Sequence, residues 1–430
     1  MIAEPMAFRS RARVLILLVG DLLVLTLALW LTLALRYLAW PSTELFLGHL
    51  SGFGWLFLPS ILSFFIYDLY RPRTLIFNPS LAPLVLQAQL LNSIIAVLAF
   101  YFIPYFNQIG VTPKTNLFIY LVVSSVLLLA WRQLLARALY RPRRTVIRFQ
   151  CRGAEVEELR LALEQTERYR LAAVGERPQL IIVNRYEAQS EEELAEFYQL
   201  LFQGVQFVGV QELYEEVFGR VPLGLVNERW FLEQISNRPT LLYDALKRGM
   251  DLFLGLGVGM LSLVVYPFII LAIKLNDGGP IFFIDERVGR HGRPIWIAKF
   301  RSMVPRPELH EARITRVGRL LRRTRLDELP QIWSVVRGEQ SLIGPRPERR
   351  EYVELYRTRI PFYDARHSIA PGLSGWAQMY HEDHPHFTVA EDQTREKLSY
   401  DLYYIKHRSL WLDIAIALKT IKVLLRRQGI

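Results

Sequence analysis

Two adjacent carboxylates, Asp327 and Glu328, stand in the segment Leu-Asp-Glu-Leu-Pro-Gln that ends at Gln331. Pro330 suits the first turn of a helix, where its missing N–H costs little, and Asp327 can cap that helix. A helix N-terminus attracts phosphate. Because neighbouring helical residues point about 100° apart, one carboxylate could face a phosphorus atom while the other holds a divalent cation. Mg²⁺ is the cation expected where carboxylates and substrate phosphates share its coordination.

The pair has a plainer interpretation, a capping Asp beside a solvated Glu, and an isolated Asp-Glu pair favours it. The neighbouring segments favour the chemical interpretation. A basic amphipathic stretch precedes the pair, and the sequence Gly-Pro-Arg-Pro follows it. Pro345 and Pro347 restrict the backbone on both sides of Arg346, so this guanidinium would bind phosphate with little loss of entropy.

Positive charge is concentrated around these residues. The chain of 430 residues has a net charge of +11, and the segment 286–350 holds 16 Arg or Lys against 7 Asp or Glu. Such a surplus suits phosphate-rich ligands, which include nucleotide-sugars, anionic lipids and nucleic acid, or an inward-facing membrane domain with ordinary basic decoration. Nucleic acid is the weakest of these because hydrophobic residues make up 51% of the chain and no stacking platform is evident.

Four apolar stretches, at 14–37, 52–70, 81–106 and 117–140, each provide about the 20 residues that cross a bilayer core. Basic residues follow the second and fourth stretches, whereas the connections after the first and third are nearly free of them. The positive-inside rule therefore predicts a four-helix membrane domain over 1–144 with both ends in the cytoplasm. Asp21, inside the first stretch, predicts either a functional polar group or a hydrogen bond within the bundle.

Alternating short strands and amphipathic helices predict a small α/β Rossmann-like module over 145–240. Its first strand-to-helix turn lacks a GxGxxG arrangement, so a structural or regulatory role is favoured over dinucleotide binding. The single cysteine, Cys151, fits a reducing compartment and is better explained as a buried small residue than as a nucleophile.

A further apolar block at 250–273 is long enough to span a membrane, but basic residues flank both ends and Pro267 interrupts it. Both features predict a helix–break–helix that enters and leaves the inner leaflet. The following domain, 241–430, would then be α-rich and cytoplasmic. Its last segment, 410–427, predicts a basic amphipathic helix that lies on the membrane or packs on the core.

The C-terminal half resembles the bacterial sugar transferases, or polyprenyl-phosphate hexose-1-phosphate transferases. The resemblance covers about 185 residues, and the upstream spans and α/β module look like the large form of this family. Its motifs occur in order, at Lys247-Arg248-Gly-Met-Asp251, the Pro267 block, 277–280, 286–289, 299–303, 313–318, 326–331, 341–347, 371–378 and 401–404.

The resemblance implies that a hexose 1-phosphate passes from a UDP-sugar to undecaprenyl phosphate, releasing UMP and opening the synthesis of a capsule, exopolysaccharide or O-antigen. Asp327 matches the nucleophile and Glu328 the Mg²⁺ ligand. Substrate and phosphate contacts are expected from Lys299, Arg301, Arg316, Arg346, Arg287 and Gln331. Structural roles are expected from Pro267, Lys247, Arg248, Asp251, Pro345 and Pro347.

The expected location is the bacterial inner membrane, with the catalytic domain on the cytoplasmic side and a possible homodimer through the soluble parts. The sugar is not specified. Two alternatives remain: a glycosyltransferase that releases UDP, and a non-catalytic regulator of polysaccharide export. His381, His384 and His386 could imitate a metal site, but a solvated loop over the active site is the favoured interpretation.

Overall fold

The computed structural model describes residues 6–70, 81–102, 113–139, 145–166, 169–187, 190–235, 241–306, 311–380 and 391–425. The chain divides into two compact units, the first formed by Met1–Val183 and Gln189–Val210 and the second by Asn184–Ala188 and Gln211–Ile430. The three-domain division at 144 and 240 stays a prediction. The second unit already includes the segment from Gln211, which the sequence assigns to the α/β module.

Long apolar helices make up the front of the first unit. They are α1 (Met6–Tyr37), α2 (Thr43–Phe53), α3 (Phe57–Ile66), α4 (Leu81–Phe102) and α5 (Pro113–Leu139), with a 3₁₀ turn at Gly54–Leu56 joining α2 to α3. Among the described residues, five helical segments are long and apolar enough to cross a membrane, four of them here. Asp21 is fully buried and pairs with Arg132 of α5, which fits the predicted polar contact within the bundle.

The α/β part of the first unit is a parallel sheet of four strands. In chain order the elements are β1 (Thr145–Gln150), α6 (Ala154–Glu164), β2 (Tyr169–Leu171), β3 (Leu180–Val183), α7 (Glu191–Phe202) and β4 (Gln206–Gly209), and the strand order is β2-β1-β3-β4. All four residues of β3 are buried, as expected for an inner strand of a parallel sheet.

The second unit is mixed α/β rather than α-rich, which corrects the prediction. It contains α8 (Val210–Phe218), α9 (Glu228–Gln234), α10 (Leu241–Asp277), β5 (Phe282–Val288), β6 (Pro294–Phe300), β7 (Met303–Arg306), β8 (Glu311–Ile314), α11 (Arg316–Arg323), α12 (Ile332–Arg337), β9 (Ser341–Ile343), α13 (Arg350–Arg359), β10 (Gly372–Ser374), α14 (Glu391–His407) and α15 (Leu410–Leu425). Strands β5 and β6, and β7 and β8, form antiparallel pairs, while β9 and β10 are parallel.

Helix α10 continues through Pro267 without an interruption, so the predicted break in the helix is wrong, whereas a bend at Pro267, on which a return to the same leaflet depends, stays a prediction. Proline removes one helical hydrogen bond but need not end a helix whose sides are held by packing. Ile269 and Ile273, which follow Pro267, are buried against Phe300 and Leu321. Whether α10 enters and leaves one leaflet stays a prediction.

Two glycines of α10 allow α12 to lie close against it. A Cβ on Gly255 would come within 3.3 Å of the Val336 side chain, and one on Gly259 within 3.2 Å of the Trp333 ring. Helix α10 therefore helps to position α12, the short helix that begins shortly after the Asp327–Glu328 pair.

Helix α15 has polar residues on its buried side. Asp413 and Lys419 are buried, whereas Trp411 and Ile414 are half exposed. Ile416 of the same helix is fully buried and joins the apolar core. The helix therefore packs on the core, as one predicted alternative has it, and contact with the membrane surface stays a prediction.

Candidate active site

The Asp327–Glu328 pair lies in a 3₁₀ helix, Leu326–Gln331, which runs directly into α12. Arg325, in the left-handed region at φ 56°, lies between α11 and this 3₁₀ helix. The predicted capping role of Asp327 is not observed, because the turn begins without a side-chain cap. The structure instead buries Asp327 at 8% exposure, a poor position for a merely solvated acidic residue.

Asp327 is an ionisable group with little to stabilise its charge. Its Oδ1 atom is buried and has no hydrogen-bond partner among the described residues. Burial, with the neighbouring Glu328 charge, raises the pKa of Asp327 to about 6, although Lys299, Arg322 and Arg325 oppose this shift. A poorly solvated carboxylate is a better nucleophile than a hydrated one, and it is still mostly ionised at neutral pH.

Glu328 is held by two cations. Lys299 Nζ lies 2.7 Å and Arg346 Nη2 lies 2.9 Å from the same oxygen, Oε1 of Glu328. Burial alone would raise the pKa of Glu328, but the Arg346 guanidinium and the Lys299 ammonium outweigh burial and hold this pKa well below its usual range. The two adjacent carboxylates thus have pKa values displaced in opposite directions, which is typical of acid groups with different roles.

The predicted phosphate-binding residues separate into two groups. Lys299, on β6, and Arg346, after β9, meet at Glu328, whereas Arg301 pairs with Asp277 at 3.1 Å and Arg287 pairs with Asp285 at 2.6 Å. Arg316 is exposed at the start of α11.

Gln331 is buried at the end of the 3₁₀ helix, and its Nε2 has no hydrogen-bond partner among the described residues. This unused donor, four residues after Asp327, is available to a substrate oxygen.

The predicted structural residues of α10 connect the helix to three other elements. Arg248 donates to the carbonyls of Val335 and Val336 at 2.7 Å each and so caps the C-terminal end of α12. Asp251 accepts a hydrogen bond from the Leu342 N–H at 3.0 Å, within β9, the strand that leads to Arg346. Lys247 pairs with Asp413 of α15 at 3.0 Å.

A buried ionic cluster behind Arg346 is the main feature that the sequence did not reveal. Arg366, 2% exposed at its side chain, contacts Glu348 at 2.9 Å and Asp401 at 2.8 Å, and it donates to the backbone carbonyl of Arg346 at 3.1 Å. Lys397 also pairs with Glu348. The cluster therefore holds the Pro345–Pro347 segment in place through the carbonyl of Arg346.

No periodic signal identifies Arg366 in the sequence, since it lies in a 3₁₀ segment, Tyr363–Ser368, among other polar residues. Its only signal is its position shortly before the Pro371 motif, and Asp401 already belongs to the last of the motifs noted above.

The donor atoms fit a Mg²⁺ ion that is shared with a substrate diphosphate. Asp327 Oδ1 is unpartnered among the described residues, and both cations contact Oε1 of Glu328, which leaves Oε2. Within the described ranges, no three His, Cys, Asp or Glu side chains cluster as a protein-only metal site. Substrate phosphates and water would complete the coordination, as is usual for Mg²⁺. His381, His384 and His386 lie outside the described residues.

Comparison with known proteins places the second unit in a family. The family model described as bacterial sugar transferase matches residues 242–427. A UDP-glucose:undecaprenyl-phosphate glucose-1-phosphate transferase of Caulobacter vibrioides is 38% identical over 198 residues, which cover 44% of this chain and 72% of that protein. The chain belongs to the bacterial sugar transferase family.

Two other relatives of this sugar transferase carry names that differ in the sugar. A UDP-N-acetylgalactosamine-undecaprenyl-phosphate N-acetylgalactosaminephosphotransferase of Aeromonas hydrophila is 40% identical, over 51% of this chain and 52% of its own length. A UDP-glucose:undecaprenyl-phosphate glucose-1-phosphate transferase of Escherichia coli is 37% identical, over 44% of each chain. The sugar transferase thus spans about half the length of these two relatives.

Proposed function

We propose that this protein transfers a sugar 1-phosphate from a UDP-sugar to undecaprenyl phosphate and releases UMP. The observation that carries the proposal is the pair of adjacent carboxylates with opposite environments: Asp327 Oδ1 has no hydrogen-bond partner among the described residues, whereas Glu328 is paired with two cations. The names of the relatives supply the substrate class.

The first step is attack by an Asp327 carboxylate oxygen on the β-phosphorus of the UDP-sugar. A new oxygen–phosphorus bond forms, the bond from that phosphorus to the bridging oxygen breaks, and the bridging oxygen leaves with UMP. The sugar phosphate remains on Asp327 as a mixed anhydride. In the second step an oxygen of the lipid phosphate attacks the same phosphorus, and the Asp327 carboxylate is released unchanged.

Lys299 and Arg346 are placed to neutralise the negative charge that develops on the phosphates. Both contact Glu328 Oε1 in the structure. A diphosphate that binds here would replace Glu328 as the ionic partner of these two cations. Preorganised cations of this kind lower a barrier because they need no rearrangement at the moment of reaction.

Glu328 would hold the Mg²⁺ beside Asp327, whose carboxylate supplies the attacking oxygen. When bound, the ion would neutralise the diphosphate and make UMP a better leaving group.

The membrane arrangement is part of the proposal. Five apolar helical segments among the described residues support membrane insertion. We place the protein in the bacterial inner membrane, with the second unit at the cytoplasmic face, where UDP-sugars are available, and with α10 entering and leaving the inner leaflet. A cysteine introduced after Lys274 should react with an impermeant reagent from the cytoplasmic side; labelling from the other side would make α10 a complete span. A homodimer stays a prediction.

The reaction is tested by incubating purified protein with Mg²⁺, undecaprenyl phosphate and separate UDP-sugars, including UDP-glucose and UDP-N-acetylgalactosamine. We expect UMP with at least one sugar, no turnover with Asp327→Asn, and normal turnover with Glu354→Gln, a matched change at an exposed carboxylate of α13. Release of UDP would indicate the glycosyltransferase alternative. No nucleotide release with any sugar would favour the regulator, and full activity of Asp327→Asn would reject the covalent mechanism.

A further inference from the structure

The hairpin formed by β5 and β6 has two chemically different faces. Its register pairs Phe282 with Phe300 and Glu286 with Trp296, and alternate side chains along each strand point to opposite faces. One face therefore carries the exposed side chains of Phe282, Ile284 and Trp296, together with Glu286 and the buried Phe300.

The other face carries Asp285, Arg287 and Lys299 beside the buried Ile295 and Ile297, and it reaches the active site through Lys299. Lys299 reaches Glu328 from it at 2.7 Å, and Arg287 pairs with Asp285 on the same side. Soluble antiparallel sheets bury their apolar face and expose their polar face. In this hairpin the face with Lys299 is directed towards the catalytic carboxylates, whereas Phe282, Ile284 and Trp296 are exposed on the opposite face.

The apolar side chains of the outward face are more exposed to solvent than is usual for residues of their type. Phe282, Ile284 and Trp296 are 41%, 61% and 59% exposed, respectively. Single exposed apolar residues are common, but a contiguous aromatic and aliphatic face indicates contact with a membrane or another protein.

Continuity with α10 favours the membrane. Strand β5 begins at Phe282, shortly after α10 ends at Asp277. The Tyr266 ring of α10 lies 4.9 Å from the Phe300 ring, which lies 5.3 Å from the Phe282 ring. An aromatic chain thus joins the apolar helix to the outward face of the hairpin.

The neighbouring surfaces have the polarity expected at a bilayer interface. Near its end α10 exposes Phe268, Leu271 and Leu275, and the hairpin turn exposes Arg290 and Arg293. Aromatic side chains prefer the interfacial layer, and basic side chains are attracted to anionic headgroups.

We propose that the outward face of the hairpin, defined by Phe282, Ile284 and Trp296, inserts into the interfacial layer of the bilayer that holds α10. The hairpin then has lipid on one face and the catalytic carboxylates on the other. The insertion fixes Lys299 and Asp327 at the depth where the phosphate of a membrane-embedded polyprenyl acceptor lies. This consequence rests on the proposed function.

The insertion is tested without reference to activity. Full-length protein carrying Cys151→Ser and Ile284→Cys is labelled with an environment-sensitive fluorophore and placed in vesicles of phosphatidylethanolamine and phosphatidylglycerol. The matched control is Leu232→Cys on α9, another exposed apolar residue of the second unit. We expect blue-shifted emission at position 284 and several-fold stronger quenching by nitroxide-labelled lipid than at position 232.

Two outcomes would overturn the proposal. Water-like emission at position 284 with no lipid quenching would leave the face in solvent. Blue-shifted emission without lipid quenching would mean that protein covers it, either a second copy or other helices of the same chain.

The consequence for lipid use has a separate readout. Ile284→Glu should raise the KM for undecaprenyl phosphate in vesicles about tenfold, because a charge in the interfacial layer opposes insertion, while the KM for UDP-sugar stays unchanged and Leu232→Glu has no effect. An unchanged lipid KM would reject this consequence. If no UDP-sugar is turned over, the proposed function fails, but the labelling result still decides the insertion.

Discussion

Replacing Arg366 with Met removes the centre of the buried ionic cluster behind Arg346. The side chains of Arg366 and Asp401 are each 2% exposed, and that of Glu348 is 14% exposed. The change would leave Asp401 without its ionic partner, while Glu348 would keep Lys397. It would also remove the hydrogen bond that Arg366 donates to the Arg346 carbonyl.

The expected cost follows from burial. Removing one partner of a buried ion pair costs about 3–5 kcal/mol, and Lys397 should keep the loss near the lower end of that range. In a unit of about 200 residues, 1 kcal/mol corresponds to about 2–4 °C in Tm, so Arg366→Met should lower Tm by about 6–12 °C. Arg357 and Asp364 form a matched pair that is half exposed, and Arg357→Met should cost at most about 1 kcal/mol.

The assay is thermal unfolding of the full-length protein in one detergent, followed by turnover at a temperature where each variant is folded. Arg366→Lys provides a second variant, because it keeps the charge but loses the planar fork that contacts Glu348, Asp401 and the Arg346 carbonyl together. We expect a smaller Tm loss for Arg366→Lys and lower kcat in both Arg366 variants. Equal Tm values for Arg366→Met and Arg357→Met, or wild-type kcat in folded Arg366→Lys, would refute the reasoning.

Three further predictions follow from the same geometry. Because burial raises the pKa of Asp327 to about 6, its ionised fraction falls as pH falls through 6, so kcat/KM should drop about tenfold per pH unit below it; a flat profile down to pH 5 would contradict this. Arg248→Met removes both bonds to the end of α12, so Tm and kcat should fall together, and an unchanged Tm would reject the capping role. Gly318→Ala would place a Cβ 1.9 Å from the carbonyl oxygen of Ser302 and should impair folding, whereas Gly249→Ala meets nothing within 4 Å and should be neutral or slightly stabilising, as thermal unfolding would show.

The membrane helices could be predicted because length and uninterrupted hydrophobicity are local properties of the sequence. Pro267 led to a wrong expectation of a break, since the packing of Ile269 and Ile273 that supports the helix there involves residues distant in the chain. A local rule gives the cost of a proline but not the contacts that offset it.

The strands of the second unit were missed for a different reason. In β5 and β6 the charged residues Asp285, Arg287 and Lys299 face the active site, while Ile284 and Trp296 face outwards. Since Ile295 and Ile297 are also buried on the face that carries Lys299, apolar residues occupy both faces, and the alternation of apolar and polar residues that predicts a half-buried strand is missing.

The candidate site could be predicted only in part. The type and spacing of Asp327, Glu328 and Arg346 suggest phosphate chemistry, since the proline-flanked arginine follows the carboxylates closely. That Lys299 rather than Arg316 reaches Glu328 depends on how β6 packs on the 3₁₀ helix. Arg366 has no signal beyond its position shortly before the Pro371 motif, because the burial of an arginine is determined by partners that the fold brings together.

The most direct test of the central claim is mass spectrometry of the full-length protein mixed with Mg²⁺ and its UDP-sugar in the absence of undecaprenyl phosphate. We predict one equivalent of UMP and a mass increase equal to one sugar phosphate, located on the peptide that contains Asp327 and absent from Asp327→Asn. An unmodified peptide in protein that forms UMP only when the lipid phosphate is present would contradict the covalent mechanism.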